Sequence, residues 1–199
     1  MSKNLKIWLE FFLIFVIFPT LLIFKILPKS ALYLGFLLIF FWAFYILRNE
    51  RFLTKFNPKF LILILARFLI FGAILCVFAL NLGKFNLELP KNHTKFWLIL
   101  IFIYPLVSAF TQEFIYRKFF FYSYSEILRS LIIPINALLF AYLHLLYIGY
   151  LAFLLTLVGG TLFALTYKRT NSLILCAIEH GIYGDLVFTI GLGRYFYQV

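Results

Sequence analysis

The chain has 199 residues, of which 65% are hydrophobic and only 13% are charged, and its mean hydropathy is +1.03. Soluble domains contain roughly 45–50% apolar and about 25% charged residues, so this composition excludes a water-soluble globular protein. The formal net charge of +11 does not indicate nucleic-acid binding, because the basic residues stand singly or in small groups between long apolar runs. That distribution is typical of loops at an anionic membrane surface.

Apolar segments long enough to cross a bilayer follow one another along the whole chain. A helix needs about 20 mostly apolar residues to cross about 30 Å of hydrocarbon. The sequence therefore predicts an all-α membrane protein, a bundle of about seven transmembrane helices. The predicted spans are residues 7–27, 31–47, 60–82, 96–124, 131–148, 150–167 and 172–192. The fourth exceeds one straight crossing, so we expect Pro105 to kink it and the aromatic residues 119–124 to lie at the membrane interface.

The loops and the first three spans carry few groups that indicate chemistry. With the N-terminus in the cytoplasm, ten basic residues lie in inner loops and six in outer loops, a small excess that favours this orientation. An ionisable side chain inside a span costs a few kcal/mol and needs an explanation. Glu10 is close enough to its helix end to reach the interface, and we expect Arg67 to snorkel or to pair within the bundle.

Three predicted helices of the second half carry several polar groups each. The segments are residues 111–117, 140–144 and 179–185. In the first, Glu113 and Arg117 are four residues apart on one helix face, which predicts an ion pair. Any one such residue would serve as a polar contact between helices. Together, a Glu, an Arg, an Asp and two His on adjacent helices exceed what packing requires.

These residue types suit hydrolysis. A Glu and a His that face one water would act as general base and proton shuttle, and a second His with a nearby Asp would stabilise an oxyanion. The same groups would also suit zinc, which takes three protein ligands and a water in catalytic sites, although the sequence lacks an HExxH pair. We therefore predict no cofactor, with zinc as the alternative that the residues leave open.

At these segments the sequence resembles the CPBP or Abi family of CAAX-protease and bacteriocin-processing membrane enzymes. The family signature is EExxxR, then FxxxH, then a His followed four residues later by Asn or Asp. Here the first motif reads Gln112-Glu113-x-x-x-Arg117, the second ends at His144 without change, and the third begins at His180. The resemblance covers roughly residues 96–192.

The resemblance implies an intramembrane endopeptidase in the bacterial cytoplasmic membrane. Its partners would be the lipid bilayer and a membrane-associated peptide or protein substrate. Glu113 and His144 would activate water, His180 would assist at the oxyanion, and Arg117 would hold Glu113 in place. Residues 1–95 would form N-terminal transmembrane helices and residues 96–199 a CPBP-like catalytic helical core, within a single membrane domain.

Two positions depart from the family pattern. Gln112 replaces the first glutamate and cannot act as a base, so that role is either lost or taken by Glu113. Four residues after the third-motif histidine stands Gly184, and we expect Asp185 to reach the site if the helix loosens there, or Tyr183 to supply a hydroxyl.

Two other functions stay open. Gln112 favours a catalytically impaired pseudoprotease that binds a membrane partner, in a chaperone-like role. A small proton-coupled transporter would use Glu113, His144 and His180 as a relay, although the absence of repeat symmetry counts against it.

Overall fold

The computed structural model describes residues 2–50, 56–147 and 149–196, and within these ranges all regular secondary structure is helical. The N-terminal half contributes three long helices, each made of an almost unbroken apolar run. Residues 51–55 and 148, which include part of the predicted loop after the second span, lie outside the described residues. The three helices are α1 (Asn4–Ile23), α2 (Ser30–Ile46) and α3 (Pro58–Asn81).

The C-terminal half contributes four more helices, preceded by a short helix at Glu88–Asn92. Helix α4 spans residues 94–128, and α5 ends in one tight turn, His144–Leu146. Four stretches of the described chain are long and apolar enough to cross a membrane, and the predicted all-α membrane bundle is confirmed. The remaining helices are α5 (Ile132–Leu143), α6 (Tyr150–Thr170) and α7 (Leu173–Thr189).

Helix α4 widens twice into π-helical turns. The first, Tyr104–Ala109, has Pro105 as its second residue, whose ring and missing N–H prevent the ordinary α-helical hydrogen bond. The expected distortion at Pro105 therefore takes the form of a wide turn. The second, Phe114–Phe119, directly follows Glu113. Because π turns often mark functional sites, their position on both sides of residues 110–113 singles out this stretch of α4.

The aromatic residues at the end of α4, expected at the membrane interface, pack mainly against other helices, and only Tyr122 among them is exposed. Residues 119–121 and Tyr124 are buried in the protein core. Phe15 of α1 packs edge-on against this run, with its ring centroid 5.0 Å from that of Phe120. The Tyr124 hydroxyl has a hydrogen-bond partner inside the protein, because it donates to Glu10 Oε1 at 2.8 Å. Glu10 accepts a second hydrogen bond from Trp42 Nε1 of α2 at 2.8 Å, so its carboxylate joins α1, α2 and α4.

Small residues let the motif-bearing helices approach one another closely. At Gly160 of α6, an added methyl group would lie 2.9 Å from the Phe140 ring of α5. At Gly181 of α7, it would lie 2.8 Å from Pro105 Cβ of α4. Helices α4, α5, α6 and α7 therefore meet around one point, which is where the polar residues of the three motifs lie.

Candidate active site

Glu113 lies at the centre of a buried polar network. Its Oε2 is 3.0 Å from Arg117 Nε, so the expected ion pair is present, although its angles are not those of a linear hydrogen bond. Its Oε1 is 2.9 Å from Nδ1 of His180 on α7. Glu113 and Arg117 are both 0% exposed. Both carboxylate oxygens are therefore engaged by other side chains.

The network extends to two residues that the motifs do not include. Arg117 Nη1 donates to Asn136 Oδ1 on α5, and Asn136 Nδ2 donates to the Tyr116 carbonyl oxygen at 2.6 Å. At the other end, His180 Nε2 lies 2.9 Å from the Tyr104 hydroxyl. Asn136 is a lone amide in an otherwise apolar helix, and that feature of the sequence was the signal that could have identified it.

His144 presents one ring nitrogen for chemistry. Its Nδ1 is 2.7 Å from the Phe140 carbonyl oxygen, which can only accept, so Nδ1 carries the hydrogen and donates it. In the neutral imidazole, Nε2 then has the free lone pair. The residue opens the tight turn at the end of α5. The Phe140 carbonyl group, near the end of α5, thus fixes the orientation of the His144 ring.

A cavity of about 530 Å³ lies between α3, α4, α6 and α7, and both motif histidines line it. The polar groups in its wall include Ser108 and Gln112 besides His144 and His180. In the described part of the chain, no Asp, Glu, Lys or Arg lines this cavity. Glu113 is not a lining residue and contacts His180 from behind, so the structure gives it no direct contact with the cavity.

Gln112 occupies the cavity-facing position next to Glu113 on α4. Its Nε2 donates to Ser108 Oγ at 2.9 Å. Its Oε1 is buried and has no hydrogen-bond partner among the described residues. Because successive helical residues point about 100° apart, Glu113 faces His180 and Arg117 while Gln112 faces the cavity. The departure from the family signature therefore falls on the residue that lines the cavity.

Asp185 does not join the network. Helix α7 stays continuous through Gly184, so the expected loosening is not observed. Tyr183 and Gly184 line the cavity, whereas Asp185 does not. Among the described residues, neither Asp185 Oδ1 nor the Tyr183 hydroxyl has a hydrogen-bond partner. The third motif thus contributes His180, and Tyr104 of α4 occupies its remaining ring nitrogen.

A second buried cluster adjoins the first through α7. Arg67 of α3 forms an ion pair with Glu179 at 2.8 Å, and its Nη2 donates to Thr166 Oγ1 at 2.7 Å. The Thr166 hydroxyl donates in turn to Glu179 Oε2 at 2.6 Å. Arg67 thus pairs within the bundle, which is one of the two arrangements that the sequence predicts. Glu179 directly precedes His180, so the cluster ties α3 and α6 to the helix that carries the histidine.

Replacing Arg67 with methionine should lower the free energy of unfolding by on the order of 3 kcal/mol, because Glu179 would stay buried without its cation. Unfolding in detergent micelles, followed by circular dichroism, measures this change. The double variant Arg67→Met with Glu179→Gln should recover part of the loss. Equal stability of the Arg67→Met variant and the wild-type protein would refute the structural role of the pair.

The donor groups do not fit a three-ligand zinc site. Across residues 2–50, 56–147 and 149–196, no group of three or more His, Cys, Asp or Glu side chains is arranged to hold a metal ion. Glu113 is already engaged by Arg117 and His180. Both cysteines are free, and Cys176 Sγ contacts the Phe163 carbonyl oxygen at 3.6 Å.

Comparison with known proteins supports the resemblance predicted from the motifs. Residues 94–184 match the family model described as Type II CAAX prenyl endopeptidase Rce1-like. No curated protein and no solved structure matches the chain. The matched segment contains the three motifs together with Tyr104 and Asn136. The apolar helices and this family together identify an integral membrane protein.

Proposed function

We propose that the chain is an intramembrane endopeptidase with His144 as its general base, because residues 94–184 match the Rce1-like CAAX endopeptidase family model. The substrate would be a membrane-associated protein or peptide. One observation carries the proposal: His144 lines the cavity with Nδ1 fixed by the Phe140 carbonyl, which directs the lone pair to Nε2. An imidazole held in this way presents a free lone pair that can accept a proton from water.

In the proposed reaction, His144 Nε2 takes a proton from a water molecule in the cavity. The resulting hydroxide adds to the carbonyl carbon of the scissile peptide bond and forms a tetrahedral oxyanion. When the C–N bond breaks, the imidazolium returns its proton to the leaving amine. The products are a carboxylic acid and an amine, so one water is consumed and His144 is regenerated.

Gln112 contributes as a hydrogen-bond donor in this account. Its amide nitrogen has two hydrogens, and the contact with Ser108 Oγ uses one of them. The other is available to donate to the developing oxyanion, which a carboxylate at this position would not do. Donors fixed before the reaction are effective in such sites because they need no reorganisation when the charge develops.

Glu113 acts as a positioning residue. Its Oε1 accepts from His180 Nδ1–H, which fixes the ring so that Nε2 meets the Tyr104 hydroxyl. Arg117 holds the carboxylate from the other side. The sequence suggested that Glu113 activates water, whereas its contacts with Arg117 and His180 favour orientation of His180.

A binding protein without catalysis is the second candidate, and the cavity wall is the observation that favours it. No carboxylate is found among the described residues of the cavity wall, and Gln112 stands where the family signature has its first glutamate. Such a protein would hold the same membrane segment without cutting it.

Gln112→Glu distinguishes the two functions, because they predict opposite changes in the cleavage rate. In the proposed hydrolase, losing the amide donor should lower the cleavage rate by about 100-fold, the usual effect of removing one oxyanion donor. In a pseudoprotease, the same change should create or raise activity. The assay is cleavage of a membrane peptide by purified protein in liposomes. Thr161→Val is the matched control, since its hydroxyl only donates to the Leu157 carbonyl outside the cavity lining.

A further inference from the structure

A second cavity lies on the opposite side of the motif residues. Its volume is about 450 Å³, and it is bounded by α2, the middle of α4 and the turn after α5. Its α2 wall is made of aromatic and aliphatic side chains. They are Leu32, Tyr33, Phe36, Leu37, Phe40 and Phe41.

The two cavities share one wall. Ser108, Gln112, His144 and Tyr147 line both of them. Ser108 and Gln112 are joined by a hydrogen bond along α4, and the His144 and Tyr147 rings are in contact with centroids 5.8 Å apart. The proposed base and oxyanion donor thus stand between two apolar chambers, one facing α2 and the other facing α3, α6 and α7.

Among the described residues that line the two chambers there is no Asp, Glu, Lys or Arg. Transferring a charged side chain into such surroundings is strongly unfavourable unless a counter-charge is supplied. Both chambers therefore discriminate against charge, independently of any chemistry at the wall between them.

The shared wall favours a peptide over a lipid chain as the occupant. Gln112 Oε1 is a buried acceptor that has no hydrogen-bond partner among the described residues, and His144 Nε2 is a second acceptor. A peptide backbone supplies N–H donors and a carbonyl at this point, whereas a hydrocarbon chain supplies neither. An unsatisfied buried acceptor is unfavourable, so a ligand with donors gains affinity here.

We propose that the two chambers are the subsites on either side of the scissile bond, and that the substrate is an extended, uncharged segment of a membrane peptide. The inference rests on the proposed hydrolysis and adds its substrate class. A helix with its side chains is about 10 Å or more wide, and its backbone groups are already bonded to one another. The segment therefore has to be unwound where it crosses the wall.

Charge scanning of a model peptide in liposomes tests the substrate class. A lysine or aspartate placed two residues before or after the cleaved bond should each lower kcat/KM by at least about tenfold, from the difficulty of transferring a charge into an apolar site. The same charge ten residues away should have no such effect. Tolerance of charge on either side would overturn the inference.

Filling each chamber separately tests the two-sided arrangement. Leu37→Trp fills the α2 chamber and Leu154→Trp the other, and both leucines are about half exposed, at 52% and 54%. Each variant should slow cleavage of peptides that have phenylalanine on one side of the bond, but not of peptides that have alanine at the same position. The side affected by Leu37→Trp should be opposite to the side affected by Leu154→Trp. The inference would be overturned if both variants affected the same side of the bond. It would also be overturned if a fatty acid competed with the peptide and Leu37→Trp or Leu154→Trp relieved that competition.

Binding of fluorescent peptides separates the two levels of the proposal. If no peptide is cut but binding shows the same discrimination against charge on both sides, the substrate class stands and hydrolysis fails. If peptides are cut without discrimination against charge, hydrolysis stands and the substrate class fails.

Discussion

Replacing His144 with alanine should reduce peptide cleavage by about 100-fold or more, the usual contribution of a general base. The reason is that the variant keeps the cavity and its oxyanion donors but loses the group that takes a proton from water. Purified wild-type and variant proteins in liposomes of equal lipid content give the comparison. The rate should be measured at saturating peptide, so that a change in binding does not enter.

The control for this variant is His93→Ala, which removes an exposed histidine outside the bundle core. It should cleave at the wild-type rate. His144→Ala loses one hydrogen bond to the Phe140 carbonyl, which contributes on the order of 1 kcal/mol to stability, so the bundle should stay folded. Thermal unfolding and gel filtration check this. Cleavage by folded His144→Ala within a few-fold of the wild-type rate would remove His144 from the mechanism.

Replacing Glu113 with alanine should lower the free energy of unfolding by about 3–5 kcal/mol, because Arg117 would be left buried without a counter-charge. The other contacts of Arg117, to Asn136 and the Phe140 ring, do not neutralise its charge. Denaturation in mixed micelles measures the loss. Glu126→Ala changes an exposed acid on the same helix and should alter stability by no more than about 0.5 kcal/mol.

A double variant separates the charge imbalance from simple loss of packing. Glu113→Leu with Arg117→Leu removes both charges and should be less destabilising than Glu113→Ala alone, since apolar replacements of a buried ion pair are often tolerated. If Glu113→Ala and Glu126→Ala are equally stable, the pair does not hold α4 as described. Glu113→Gln should fold but cleave more slowly, since it loses the charge beside His180 while retaining an acceptor for its Nδ1–H.

The helices of this protein are largely predictable from its sequence. The backbone N–H and C=O groups of an apolar run of about 20 residues find no hydrogen-bond partner in lipid. They therefore bond to one another, and the run forms a helix. Predicted and observed helices therefore coincide to within a few residues, as for 60–82 and Pro58–Asn81. The surroundings of the aromatic run 119–124 were not predictable, because burial against α1 depends on which helices become neighbours.

The composition of the site was also predictable in part. The three motifs predict which helices carry polar groups, and the Glu113–Arg117 contact follows from helical spacing. The direction that each side chain faces does not follow, since π turns on both sides of residues 110–113 change the helical register of α4. For that reason the sequence could not show that Gln112 lines the cavity and Glu113 supports His180. Nor could it pair Arg67 with Glu179, which are 112 residues apart.

Hydrolysis in the cavity is the central claim, and isotope labelling tests it most directly. Purified wild-type protein is incubated with a membrane peptide in water enriched in ¹⁸O, and the products are analysed by mass spectrometry. We expect one internal cleavage, with ¹⁸O in the new carboxyl terminus, in the wild-type protein and not in His144→Ala. A wild-type protein that binds the peptide but yields no labelled fragment would contradict it.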